Sequence, residues 1–213
     1  MLTTTWLPKA PERVARLPTD RRGFPVPWFV SWRDGEPDFP VVDGAKLGMA
    51  WEGEKCWVCG DRLGAWRSWV VGPMSVIEGA SPEPPAHHEC AVFSLCACPH
   101  LSSPTAAHSE RYRHLPGHLA QANISKIRSG AAALWITKGR GATPFRAGDG
   151  VLFKLNEPSR LEWYSGGRRA TSAEVREAVA VGLPTLQTTA EKEGRQAAFR
   201  TRLTWLERWM PAA

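Results

Sequence analysis

Cys56-Trp57-Val58-Cys59-Gly60 and, 27 residues beyond Gly60, His87-His88-Glu89-Cys90 are the two stretches that decide how this chain is read. Zinc favours thiolate and imidazole ligands in a tetrahedron, and two close pairs supply that geometry. In Cys-x-x-Cys-Gly the chain turns tightly, and Gly60 can adopt positive φ after the second ligand. His87-x-x-Cys90 has i,i+3 spacing, so both side chains share one face of a helical turn. Pro84-Pro85 stand just ahead of that helix and cannot extend it backwards. The order of knuckle, hairpin and helix start is that of treble-clef zinc modules. Cys56, Cys59, His87 and Cys90 are therefore expected to hold one structural Zn2+. His88 is the alternative to His87, and its spacing to Cys90 is the poorer one.

Cys96, Cys98 and His100 follow at alternate positions. They could add a ligand, but no further cysteine pair completes a second site. The other reading makes residues 91–96 a buried helix face with Cys as a small apolar residue.

The 213 residues suffice for one sizeable domain or two small ones. Met1 to Pro8 shows no basic segment followed by a long apolar run, so no secretory signal is expected. No stretch approaches a membrane span in length. A cytoplasmic, reducing setting follows, and there Cys-x-x-Cys reads as a metal site rather than a disulfide. Up to residue 100 there are 10 Lys and Arg against 12 Asp and Glu; beyond it there are 17 against 9. The second half is thus basic, which suits nucleic acid or another acidic partner.

Three segments are expected. Residues 1–22, with Pro8, Pro11 and Pro18, read as an extended N-terminal arm. Residues 23–118 form the zinc-binding module with its flanking strands. Residues 119–213 form a basic α+β segment with C-terminal helices, packed with the preceding part. Residues 26–32 and 38–42 read as a hairpin closed by Asp34-Gly35, with Pro40 on an edge. Residues 46–51 are expected extended, 66–77 as one or two strands broken at Gly72-Pro73, 78–85 as a loop, and 86–97 as a helix. Residues 102–118 are polar, and His108, His114 and His118 within them receive no role. Residues 131–137 read as a strand or another buried segment, followed by the turn Lys138-Gly139-Arg140-Gly141. Residues 150–155 and 160–164 are expected to pair with each other. Thr171-Ser172-Ala173-Glu174 is a capping box, and its helix is expected to stop near Val181 because Gly182 and Pro184 follow. Phe199, Leu203, Leu206 and Met210 have helical spacing and mark an amphipathic helix that docks on its own domain, the commoner case, or on a partner. The fold class is α+β: small antiparallel sheets around a treble-clef-like zinc module, with C-terminal helices.

The two ligand pairs, with Leu63-Gly64, Val71-Gly72-Pro73-Met74 and Ala97-Cys98-Pro99, together resemble a family of uncharacterised proteins of phages and high-GC bacteria. Glu162-Trp163-Tyr164-Ser165-Gly166-Gly167-Arg168-Arg169-Ala170-Thr171 is similar as well. The likeness spans roughly residues 24 to 184 and implies a context, phage or prophage, rather than a mechanism. His100 stands where the resemblance leads one to expect an aromatic residue, which argues against a metal role for it.

Three functions compete. The first is a non-enzymatic nucleic-acid-binding protein, with Arg168 and Arg169 as the leading phosphate contacts and Lys138 and Arg140 next. The second is a protein-interaction factor acting on a host protein through its tryptophan-rich segments. The third is a treble-clef nuclease. That chemistry needs an activating His on the hairpin and an open metal position. Between Cys59 and Pro85 there is no His, and the acids are Asp61, Glu78 and Glu83.

Overall fold

The computed structural model describes residues 8–98, 101, 130–147 and 150–212. The fold is mixed α+β with small antiparallel sheets and C-terminal helices. Its centre is a four-stranded sheet in the order β3 (Trp66–Val71), β5 (Ala132–Lys138), β8 (Arg160–Ser165) and β9 (Arg168–Arg169). β4 (Ala80–Ser81), β7 (Gly150–Leu155) and β6 (Ala142–Ala147) form a second sheet in that order, and β1 (Val30–Arg33) pairs with β2 (Glu36–Val42) in a third.

The central sheet separates two apolar layers. Odd-numbered residues, among them Trp69, Val71, Ala133, Trp135 and Trp163, face one layer with Phe153, Val175, Phe199 and Trp205. Even-numbered residues, among them Ala132, Leu134, Ile136 and Tyr164, face the other with Cys56, Val58, Cys90 and Leu95. β5 is buried on both faces, which explains its unbroken apolar run. The expected module boundary at 118/119 lies outside the described residues, as do residues 102–118 and His100. β3 pairs with β5 across that boundary.

The Asp34-Gly35 hairpin is present as read. Both residues have positive φ (51° and 78°), the conformation that matches strand twist. Pro40 is tolerated because a two-stranded sheet consists of edges.

Several elements differ from expectation. Within the expected arm, α1 (Glu12–Ala15) is a helical turn, and its Val14 is buried beside the cysteines. Residues 46–51 are not extended but lie in α2 (Gly44–Glu52), capped by the Asp43 carboxylate on the Ala45 N–H. Leu47, Ala50 and Trp51 have the i, i+3, i+4 spacing that buries one helix face.

Past β3 the chain forms α3 (Pro73–Glu78), not a strand. Pro73 suits a first helical turn, and Gly79 closes the helix at φ 67°. Residues 73–77 are all buried, so no helical period shows in the sequence. β7 and β8 do not pair with each other: β7 joins β4 and β6, while β8 joins β5 and β9. The intervening turn hands the chain between sheets, with the Asn156 N–H donating to Gly141 and the Ser159 N–H to Ile136.

α4 (His88–Ala97) is in the expected place. The capping box is complete, and α5 (Ser172–Lys192) runs past Gly182 and through Pro184. A proline inside a helix costs about 3 kcal/mol. Burial of Val179, Leu186 and Ala190 on either side opposes that cost. At Gly182 a Cβ would overlap the Met74 side chain, which packs against the helix there and would have to move. α6 (Gln196–Glu207) docks on the same domain through Phe199, Trp205 and Leu206.

Candidate metal centre

Two backbone devices assemble the site. In the knuckle, the Gly60 N–H donates to the Cys56 carbonyl at 2.8 Å and the Cys56 N–H to Asp61 at 2.7 Å. Gly60 takes φ 78°, as its position after the second cysteine requires. The second pair is placed by an isolated bridge between Ser68 and Ala86, whose N–H groups each donate to the other's carbonyl. His87 sits extended at the N-cap of α4, and Cys90 lies in its first turn. The hairpin expected between the ligand pairs is reduced to this one bridge, with α3 and β4 inserted in the connection.

The ligand atoms of Cys56, Cys59, His87 and Cys90 all lie within 4.8 Å of one another. A tetrahedral zinc site has ligand–ligand edges of about 3.5–3.8 Å, so small movements would close the four around an ion. The three cysteines are buried, and His87 is half-buried. His87 Nδ1 is 3.4 Å from the Cys59 sulfur and 3.9 Å from the Cys90 sulfur. Its Nε2 lies 3.0 Å from the Arg62 carbonyl, which can only accept. The Nε2–H therefore donates there, and Nδ1 presents a lone pair to the sulfurs. The four residues could hold a metal ion.

The surroundings manage the charge. Burial pushes the Cys56 thiol up, but hydrogen bonds from Cys59 and Cys90 and from the Cys59 and His87 N–H groups bring it well below the usual thiol range. Hydrogen bonding to Cys56 and Cys59 drives Cys90 the opposite way. Contact with the Cys59 sulfur raises the His87 pKa. Arg13 reaches from α1 to Asp61 and Glu89, each at 3.1 Å, and Arg16 to Asp61 at 3.0 Å. Nothing in the sequence announces this clasp, since Arg13 and Arg16 are far from both ligand pairs.

Among the described residues, Cys96 and Cys98 stand outside the cluster. His88 also stands apart, exposed, with Nε2 3.5 Å from a Glu162 oxygen.

The four basic candidates do not come together. Arg168 forms a forked pair with Glu174 at 2.9 and 2.7 Å, and this pairing and the Thr171 N–H hold the Glu174 carboxyl down at about 2. Arg169 bonds Glu162 at 2.8 Å and lies over the Tyr164 ring. Lys138 and Arg140 are exposed on their turn, and Arg140 stacks on Trp51. Lys138 ends β5, whereas Ala132 at its start pairs with Tyr164, the partner of Arg169. The two groups are thus separated by the length of β5, about 20 Å.

Among the described residues no helix is long and apolar enough to cross a membrane. Comparison with protein-family models, with curated proteins and with solved structures finds no match to this chain.

Proposed function

We propose that this chain is a nucleic-acid-binding protein without catalytic activity, built on a structural Zn2+ held by Cys56, Cys59, His87 and Cys90. The donor set of three sulfurs and one imidazole nitrogen matches zinc chemistry, and four protein ligands leave no position for a substrate. We read the knuckle–strand–helix order as a treble-clef-like module with α3 and β4 inserted. A reducing cytoplasm, of a host cell if the chain is phage-encoded, would keep the thiols available.

The observation that carries the nucleic-acid reading is the β8–β9 edge, where each arginine is anchored by a carboxylate and still faces water. Arg160, Arg168 and Arg169 are 60%, 60% and 59% exposed. Guanidiniums fixed in this way contact phosphates with little further ordering. Lys138 and Arg140 would contribute separately.

Elemental analysis is expected to give one zinc per chain. Fluorescence anisotropy with labelled DNA and RNA should show binding that falls steeply between about 50 and 200 mM salt, with little sequence preference. Absence of any oligonucleotide binding at low salt would overturn the reading. The exposed Trp32 and Trp66 (45% and 51%) would then favour the second one, interaction with a host protein.

A further inference from the structure

Arg168 and Arg169 are adjacent in sequence but serve opposite faces of the sheet. Residues alternate along a strand, so Arg160, Glu162 and Tyr164 share one face of β8. Arg169 pairs with Tyr164 and joins them; Arg168 pairs with Ser165 and turns toward Glu174. The arginine that sequence separates from Arg169 by nine positions is therefore its true neighbour.

We propose that Arg160 and Arg169, bridged by Glu162, form the site that grips a backbone phosphate of nucleic acid. This rests on the nucleic-acid reading above and names the residues that perform it. Arg160 Nε donates to Glu162 Oε1 at 2.6 Å, and Arg169 Nη2 donates to Oε2 at 2.8 Å. The Tyr164 hydroxyl donates to Oε2 at 3.2 Å, and His88 Nε2 stands 3.5 Å from the same oxygen. The Glu162 side chain is 5% exposed, so its oxygens are occupied from within the protein. The two guanidiniums that meet on it remain open to water.

Two cations on one carboxylate leave one positive charge in surplus. Each guanidinium has five N–H donors in a planar fork, and the contacts above leave several of them free. Arg169 lies 4.7 Å from the Tyr164 ring centroid, and Arg160 Nη2 reaches His88 Nε2 at 3.4 Å, so both planes are held. Free donors of fixed direction beside a surplus charge suit a tetrahedral oxyanion, which takes two parallel N–H···O bonds from a fork. Glu162 is a positioning residue: it aims the arginines and does not touch the phosphate.

The test is anisotropy with fluorescein-labelled single-stranded DNA, single-stranded RNA and duplex DNA at low salt, on the full chain loaded with zinc. Arg160→Ala with Arg169→Ala is expected to weaken binding about tenfold or more and to lower the salt slope by about 1–2. That variant leaves Glu162 without an arginine partner, so a companion carrying Arg160→Gln, Glu162→Gln and Arg169→Gln removes the buried charge too. A charge-matched control, Arg176→Ala with Arg208→Ala, should lose less than about threefold if position rather than net charge matters. Glu162→Gln is the sharpest arm. Removing a negative charge beside a phosphate should strengthen binding by electrostatics alone, whereas loss of the bridge should weaken it. Weaker binding by a Glu162→Gln protein of unchanged zinc content supports the site. Wild-type affinity in the companion variant, or an equal loss in the control, overturns the site and spares the nucleic-acid reading. No binding by the wild type overturns both.

Discussion

Gly60 lies flat against the indole of Trp28: a Cβ at position 60 would stand 2.7 Å from the ring's Cγ and 2.8 Å from its Cδ1. The chain turns there at φ 78°, one residue past Cys59. Gly60→Ala meets two obstacles, a left-handed backbone and a rigid ring. It should cost about 2 kcal/mol or more in the zinc-loaded protein. Trp28→Ala removes only the second obstacle. A double-mutant cycle by thermal melting should therefore show the pair costing less than the sum of the singles. Strict additivity would disprove the contact.

The two adjacent histidines should separate in a metal assay. On the proposed zinc site, His87→Ala takes away one of four ligands, so zinc affinity should fall at least about tenfold and chelator-induced unfolding should accelerate. His88→Ala should leave zinc stoichiometry at one, because His88 faces Glu162. Equal zinc loss from both variants would show that either ring can bind.

Arg202 tests how α6 is held. Its Nε and Nη2 donate to the Ile77 and Val76 carbonyls, each at 2.8 Å, and its guanidinium lies 3.9 Å from the Trp205 ring centroid. Arg202→Ala removes the guanidinium from the Ile77 carbonyl and leaves the Val76 carbonyl with the Gly79 N–H alone, and should destabilise by about 2 kcal/mol. Arg202→Lys cannot reproduce the fork or the stacking and should recover less than half of that. Urea titrations of the three proteins give the comparison.

Thr171→Ala should cost about 1 kcal/mol, and Thr171→Ser should be close to neutral, since the hydroxyl caps the Glu174 N–H. A methyl-driven effect would reverse that order in thermal melts.

Glu83 introduces a pH dependence. Burial pushes its carboxyl up to about 7, with the Trp57 side chain opposing the shift. An unfolded glutamate titrates near ~4.3. Between these values the unfolded chain is ionised while the folded one keeps its proton. Stability from Glu83 is thus fully present below about pH 4.3 and is lost as pH rises through about 7. Glu83→Gln should gain on the wild type by a few degrees in Tm between about pH 5 and 8, at saturating zinc. Taking the difference cancels the metal's own pH dependence. A constant difference would rule the assignment out.

What the sequence revealed followed from local chemistry. The Asp34-Gly35 turn, the Thr171–Glu174 box and the two ligand pairs each depend on residues within a few positions of one another. The misread elements are those that tertiary burial decides. α3 is buried all round over residues 73–77, Ser75 included, so it has no period to read. In α2, Gly44 and Gly48 lowered the apparent propensity, while Leu47, Ala50 and Trp51 were already in helical register. α5 continues through Pro184 because Leu186 and Ala190 find a core beyond it. The partner of β8 is β5, fixed by a sheet whose pairing spans more than twenty residues of sequence. At the candidate metal centre the four residues that come together were legible, but the Arg13 clasp and the meeting of Arg160 with Arg169 were not.

β5 is a party wall. Leu134 and Ile136 press on the side that holds the cysteines, and Trp135 between them presses on the tryptophan-rich side. A strand is too thin to yield on one side and stay put on the other. The indole N–H of Trp135 is anchored on the Asn156 carbonyl, and its ring stacks on Trp205. Two layers that share one strand are expected to lose their packing together, in a single calorimetric transition.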